Sequence, residues 1–298
     1  MTDSASPAIG PKAGPASRTG AGSGWNISSQ KLSAWFLWIY LLLFLFVMLS
    51  PLFVMGGAAL NDSRFPSVWP WKGFTDQWFI DLWNDDRMWG AGRNTVIVAL
   101  AVVAMSIPIG TAGAILINSL GGVWRSVIYG VMVAPILTPG AVIGISTLLF
   151  WHKFGLPTGL HLSALGQTSF IAAYVMLLVL ARLQSFDPGL EEAALDLGAS
   201  HGQVLRRVLL PHLYPALAAG AVIGFFQSVE NFNVTLFTRG ASDTLTVYVG
   251  SKVRSGAPPT INALALILIL ATVLATIVYE ILRRRALARE TAAGERNG

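Results

Sequence analysis

Residues 185–211, which read SFDPGLEEAALDLGASHGQVLRRVLLP, decide how the rest of the chain is interpreted. The pattern predicts two short helices. Asp187 is placed to cap the first helix, because an aspartate side chain accepts hydrogen bonds from the free N–H groups of a helix start. Gly198 is placed to end that helix in the left-handed conformation, which glycine adopts without strain. Ser200 and Gln203, three residues apart, form a capping box for the second helix. We therefore expect a rigid hairpin here rather than a flexible connector.

The composition around this hairpin is that of a membrane protein. Of the 298 residues 54% are apolar and 12% are charged, and the mean hydropathy is +0.61. A soluble domain carries about 25% charged residues, so this chain has too little polar surface to cover a globule in water. The chain has no cysteine, which excludes disulfides, thiolate catalysis and cysteine-ligated metals. Its net charge of +5 comes from basic residues at the ends of apolar segments, a topology signal rather than a nucleic-acid site.

About six segments are long and apolar enough, or nearly so, to cross a bilayer as helices of roughly 20 residues. The segments are Leu32–Met55, Asn94–Ile117, Val127–Trp151, Thr168–Leu183, Tyr214–Ser228 and Ala263–Leu282. Pro108, Pro135 and Pro139 fall inside the second and third segments and predict kinked helices that pack against neighbours. The predicted fold is therefore all-α and transmembrane, with the hairpin between the fourth and fifth spans.

The charges that flank these segments predict the topology. Arg283, Arg284 and Arg285 directly follow the last span, and clustered arginines favour the cytoplasmic side. We therefore expect both termini to lie in the cytoplasm. We expect a disordered cytoplasmic tail over residues 1–30, a transmembrane domain over 31–285 that includes the hairpin region 187–211, and a cytoplasmic tail over 286–298.

Physical reasoning alone leaves two interpretations of the hairpin. A rigid cytoplasmic element between two spans can transmit the movement of a docked partner into the membrane. The alternative is an ordinary amphipathic loop that rests on the bilayer surface.

Residues 192–211 match the pattern E-A-A-x(3)-G-x(9)-I-x-L-P, in which only Val208 departs from the expected isoleucine. In this respect the chain resembles the permease subunits of binding-protein-dependent ATP-binding cassette (ABC) importers. The resemblance implies a type I importer permease fold whose residues 192–197 form a coupling helix that docks on a separate ATPase. The residues to which it assigns this coupling are Glu191, Glu192, Ala193, Ala194, Asp196, Leu197, Gly198 and Pro211.

The same resemblance implies that the chain spans the inner membrane of a bacterial cell, and it also implies the partners. These are ATPase subunits, a second and non-identical permease subunit, a periplasmic solute-binding protein and the lipid bilayer. The chain contains no G-x-x-x-x-G-K-[ST] phosphate-binding loop, so we expect ATP and Mg²⁺ to be bound by the partner ATPase and no cofactor to be bound by this chain. The chain itself is then a transport subunit and not an enzyme.

Three further stretches look like the spermidine/putrescine branch of this family: Arg93-Asn94-Thr95, Pro139 followed by residues 143–146, and residues 256–265. Two departures leave the solute open. Polyamine permeases tend to carry two adjacent acids where this chain has Glu230-Asn231, and an acid after the proline where it has Gly140. A small cation, a zwitterion or a neutral solute therefore remains possible.

Glu230 is the main candidate for the solute path, because an ionisable group at membrane depth is costly and usually functional. It lies 19 residues after Pro211, roughly 28 Å along a helix towards the outer side. The alternative is that Glu230 only ends the span in the headgroup region. The candidate path residues are Glu230, Asn231, Asn233, Gln227, Phe226 and Pro139. We expect no metal site, since His152 and His161 lack acidic neighbours at ligand spacing.

Two rival functions remain. A self-contained secondary transporter or channel would need coupling charges within its spans, and usually internal repeats. An intramembrane enzyme would need paired catalytic groups at depth. We find neither pattern in the sequence, and dependence on a separate ATPase would distinguish the importer from both rivals.

Overall fold

The computed structural model describes the backbone of residues 27–296 and the side chains of residues 34–285. Within this part the secondary structure is helical, apart from one isolated β-bridge between Asn61 and Phe74. The helices are α1 (Ile27–Leu60), α2 (Gln77–Trp83), α3 (Asp86–Ser119), α4 (Gly122–Leu137), α5 (Gly140–His152), α6 (Leu160–Leu183), α7 (Pro188–Asp196), α8 (His201–Val204), α9 (Leu210–Val229), α10 (Asn233–Thr238), α11 (Leu245–Arg254) and α12 (Thr260–Arg296).

The predicted all-α transmembrane fold with about six spans is confirmed. Five helical stretches of the described chain are long and apolar enough to cross a membrane, and the bent pair α4–α5 adds a sixth if it counts as one span. The five are Ala34–Leu60, Asp86–Ser119, Leu160–Leu183, His201–Val229 and Thr260–Arg285.

The third predicted span needs a correction. We expected one kinked helix over Val127–Trp151, but the segment forms two helices, α4 and α5, that are bent by 107°. The bend lies at Thr138 and Pro139, since α4 ends at Leu137 and α5 begins at Gly140. Proline has no N–H group to continue the hydrogen-bond ladder, and its ring restricts the preceding residue.

The expected N-terminal tail falls largely outside the described residues. Of the N-terminal tail predicted over 1–30, only residues 27–30 are described, and they start α1. In the C-terminal tail predicted over 286–298, α12 continues to Arg296.

The chain divides into two compact units, residues 1–51 and residues 52–298. The described part of the first unit is the portion of α1 up to Pro51. The second unit is built around α3, α6 and α9, whose apolar side chains form its largest buried cluster. Its fully or nearly fully buried members are Ala114, Ile117, Val175, Met176, Val179, Leu180, Leu183 and Leu213.

Asp85 joins the start of α3 to α11. Its Oδ1 accepts hydrogen bonds from the N–H groups of Arg87 at 2.9 Å and Met88 at 3.2 Å. Its Oδ2 accepts from the Tyr248 hydroxyl at 2.8 Å and from Lys252 Nζ at 3.0 Å. Burial alone would raise the pKa of Asp85, but the hydrogen bonds and the Lys252 charge outweigh it, so the pKa lies below its ordinary value.

Replacing Asp85 by asparagine is expected to lower the thermal stability of the assembled protein. The helix cap survives, because asparagine also caps helices through its Oδ1. Its Nδ2 amide group, however, replaces Oδ2 and cannot accept the hydrogen bond from Lys252, and a bond to a charged group is worth about 1.5–3 kcal/mol. The charged form stabilises the fold above the unfolded pKa of about 3.9, and the stabilisation disappears as the pH falls through the lower, folded pKa. Melting curves of the purified complex at pH 7 would measure the loss. Asp86→Asn is the control, since Asp86 is exposed; an equal effect of both variants would contradict the prediction.

Candidate functional site

The hairpin predicted at residues 187–211 begins as expected. Asp187 caps α7, and its Oδ1 accepts a hydrogen bond from the Gly189 N–H group at 2.9 Å. Pro188 occupies the first helical position, where it costs no hydrogen bond.

Gly198 ends α7 in the left-handed conformation, with φ of +83°. The Ala199 N–H group donates to the carbonyl of Ala194 at 3.0 Å, and the Gly198 N–H group donates to that of Leu195 at 2.9 Å. These two bonds form a Schellman motif, which fixes the direction in which the chain leaves the helix.

The second helix of the hairpin differs from the prediction. The capping box is present, with the Ser200 N–H group donating to Gln203 Oε1 at 2.9 Å. The helix does not end there, however. α8 passes through a π-helical turn, Leu205–Leu209, into α9, so it forms the start of the fifth span. The expectation of two separate short helices is therefore wrong for the second one.

The hairpin presents an exposed face that carries both acidic and apolar groups. Leu197 is 88% exposed and Leu190 is 53% exposed. Glu191, Glu192, Ala193, Asp196, Gly198 and Pro211 are also exposed, whereas Ala194 is half-buried. Glu191 lies in the first turn of α7, where the helix dipole stabilises a negative side chain. A surface of this kind can offer both apolar contacts and charges to a docking protein.

A clamp that the sequence analysis missed joins the two spans on either side of the hairpin. Arg182 Nε, at the end of α6, donates to the carbonyl of His212 at 3.1 Å. In return, His212 Nε2 lies 3.3 Å from the carbonyl of Arg182. The His212 ring also packs edge-on against Phe186, with 5.2 Å between the ring centroids. The clamp holds α6 and α9 together where the hairpin leaves them.

At the other end of α9 a cavity of about 290 Å³ lies beside the break between α4 and α5. Gln227, Glu230, Asn231 and Asn233 line it with amides and a carboxylate. The aromatic side chains of Phe170, Tyr174 and Phe232 also line it.

The structure thus brings four of the six candidate path residues together and leaves two apart. Phe226 is 63% exposed and does not line the cavity. Pro139 is the residue before α5 and sits at the break without lining the cavity. Phe170 and Tyr174 on α6 were missed, because the sequence of a predominantly apolar span does not indicate which face of the helix meets a cavity.

A network of buried polar side chains fixes the end of α9 against α6 and α10. Gln167 Nε2 donates to Thr235 Oγ1 at 2.8 Å, and Ser228 Oγ donates to Gln167 Oε1 at 2.5 Å. Asn231 Oδ1 accepts from the Val234 N–H group at 3.1 Å at the start of α10. Asn231 therefore shapes the turn after α9 as well as lining the cavity.

Glu230 is exposed and has no basic partner in the described part of the chain. It follows the last residue of α9. The five ion pairs found among the described side chains involve other acids. Nor do the described residues contain a group of three or more His, Asp or Glu side chains that could hold a metal ion.

Comparison with known proteins gives consistent results. Residues 106–288 match the family described as "Binding-protein-dependent transport system inner membrane component". The chain is 33% identical over 246 residues to the putrescine transport system permease protein PotI of Escherichia coli (strain K12), covering 80% of this chain and 86% of that protein. It is 30% identical over 235 residues to the spermidine/putrescine transport system permease protein PotC of the same organism, covering 78% of this chain and 88% of that protein.

The fold is also found among solved structures. A chain of a bacterial ABC transporter involved in the import of the acidic polysaccharide alginate superposes with a TM-score of 0.64 at 16% sequence identity. The match covers 87% of this chain and 98% of that chain.

Proposed function

Because the chain belongs to the family of binding-protein-dependent transport system inner membrane components and is a permease subunit of an ABC importer, we propose that it forms half of a solute path driven by separate ATPase subunits. A second, non-identical permease subunit completes the path. The solute is small, cationic or zwitterionic and polyamine-like, and a periplasmic binding protein delivers it.

The geometry of the hairpin supports coupling through α7. The helix is capped at both ends, and the Arg182–His212 clamp joins α6 and α9 where the hairpin leaves them. A rigid element in that place passes a displacement of a docked ATPase directly to two spans. ATP and Mg²⁺ are then bound by the partner, and this chain needs no cofactor of its own.

The proposed topology follows from the hairpin. If α7 faces an ATPase, it lies in the cytoplasm, and the end of the sixth span, with Arg283–Arg285, lies on the same side. The chain is then a multi-pass protein of the bacterial inner membrane with both termini in the cytoplasm.

The observation that carries the solute class is the position of Glu230. Its carboxylate lines the cavity at the end of α9 together with amides and aromatic rings. No nitrogen of a described Lys, Arg or His side chain lies within 4.0 Å of its oxygens. An unpaired carboxylate beside aromatic faces favours an ammonium group through charge-assisted hydrogen bonds and cation–π contacts. The relatives named above are permeases for putrescine and spermidine, which fits this chemistry.

Replacing Glu230 by glutamine is expected to reduce uptake of ammonium-bearing solutes about 10-fold or more. A charge-assisted hydrogen bond is worth about 1.5–3 kcal/mol, and about 1.4 kcal/mol corresponds to a factor of 10. The measurement is ATP-driven uptake of radiolabelled 1,4-diaminobutane and 4-aminobutanoate by the complete importer in proteoliposomes.

The control is Asp62→Asn, which neutralises an exposed acid outside the residues that line the cavity. Unchanged uptake by Glu230→Gln would contradict the role of Glu230. Uptake that persists without the ATPase subunits would favour the rival secondary transporter or channel.

A further inference from the structure

A second cavity, of about 620 Å³, adjoins the first. Glu230 and Phe232 line both cavities and form the wall between them. The rest of the second cavity lies between the end of α9, α11 and α12. Its apolar lining comes from Val229, Leu245, Val249, Val253 and Leu268.

Two side chains of opposite charge face this apolar cavity, Glu230 and Arg254. They do not pair with each other, because no ion pair within 4.0 Å joins them. Neither has another oppositely charged partner among the described side chains. Opposite charges that share one apolar cavity without meeting can each bind the complementary charge of a single ligand.

Arg254 is exposed and contacts the wall residue Phe232. The guanidinium carbon lies 5.8 Å from the centroid of the Phe232 ring, within the range of a cation–π contact. α11 approaches that ring closely at Gly250, where a Cβ atom would lie 2.6 Å from Phe232 Cε2. The ring therefore favours positions of the guanidinium beside the cavity, which reduces the entropy lost on binding an anion.

We propose that this cavity binds an α,ω-zwitterion, a solute whose ammonium and carboxylate groups are separated by a short alkyl chain. The ammonium group pairs with Glu230, the carboxylate pairs with Arg254, and the alkyl chain lies against the valines and leucines. A diamine suits the cavity less well, because its second ammonium group would face the guanidinium. The inference rests on the proposed role of Glu230 in the solute path and narrows its substrate class.

The test compares three four-carbon probes: 4-aminobutanoate, 1,4-diaminobutane and butanoate. Their binding to the purified complex of permease and ATPase subunits, without the periplasmic protein, is measured by titration calorimetry. The zwitterion is expected to bind about 10-fold more tightly than either of the others, a difference of about 1.4 kcal/mol. Arg254→Gln is expected to weaken zwitterion binding about 10-fold and to leave diamine binding unchanged or stronger.

Arg64→Gln is the matched control, because Arg64 is an exposed arginine that does not line the cavity. The inference is overturned if the diamine binds more tightly than the zwitterion, if none of the three probes binds, or if Arg254→Gln affects the zwitterion no more than Arg64→Gln does. In each of these cases the proposed function survives provided that Glu230→Gln still reduces uptake, so the two failures are distinguishable.

Discussion

Replacing Glu192 by lysine is expected to abolish ATP-driven uptake while the protein remains in the membrane. Glu192 lies on the exposed face of α7, and a lysine there reverses the charge that this face offers to a docking protein. Removing one partner of a docked charge pair costs about 2–5 kcal/mol, and even about 2 kcal/mol corresponds to roughly a 30-fold loss of docking. The measurements are solute uptake and ATP hydrolysis stimulated by the binding protein, both in proteoliposomes.

A second variant tests the geometry of the same hairpin without changing its charge. Gly198 has φ of +83°, where a residue with a Cβ atom costs about 1–2 kcal/mol. Gly198→Val is therefore expected to redirect the chain after α7 and to lower uptake with little effect on membrane insertion.

The control for the charge reversal in Glu192→Lys is Asp62→Lys, since Asp62 is an exposed acid outside the hairpin. Normal uptake by Glu192→Lys would count strongly against coupling through α7.

The first half of the hairpin could be predicted in detail because its interactions are local. Each of these interactions joins residues within five positions of one another. They are the helix cap formed by Asp187, the left-handed turn at Gly198 and the capping box of Ser200 and Gln203. A local pattern determines such contacts whatever the rest of the fold does. The continuation of α8 into α9 was missed, because the π-helical turn at Leu205–Leu209 leaves no distinct sequence signal.

The start of α6 was predicted wrongly from the hydropathy of the sequence. The predicted span began at Thr168, whereas α6 begins at Leu160. Ser163 and Gln167 lower the hydropathy of the added turns, yet both are fully buried. Gln167 is satisfied by Ser228 and Thr235 from α9 and α10. A polar side chain can be buried when residues distant in sequence satisfy its hydrogen bonds. A local apolar pattern carries no information about such partners.

The candidate site was only partly predictable for the same reason. Glu230, Asn231, Asn233 and Gln227 are close in sequence, so their shared cavity follows from one helix end. Phe170, Tyr174 and Arg254 reach the two cavities from other helices. Only the packing of α6 against α9 and of α11 against α3 brings them there.

A second large loss of stability is expected from a substitution at Gly110, where α3 packs against α6. A Cβ atom at this position would lie 2.5 Å from the carbonyl oxygen of Ala172 and 2.7 Å from Val175 Cβ on α6. Since the carbonyl belongs to the backbone, the clash cannot be relieved by rotating a side chain. α3 and α6 supply most of the largest buried cluster, so separating them disrupts the scaffold that carries both the hairpin and the cavities.

Gly110→Leu is therefore expected to destabilise the subunit by about 3 kcal/mol or more, the upper end of overpacking effects, and to prevent most of it from entering the complex. Gly90→Leu is the matched control, because Gly90 lies on the same helix with no neighbouring atom within 4 Å of its Cβ position. Both variants gain about 1 kcal/mol of helix propensity, so the difference between them isolates the packing at Gly110. The fraction of subunit that co-purifies with the complex, and its melting temperature, measure that difference. Equal values for the two variants would mean that α3 and α6 do not pack as closely in the membrane as they do in this structure.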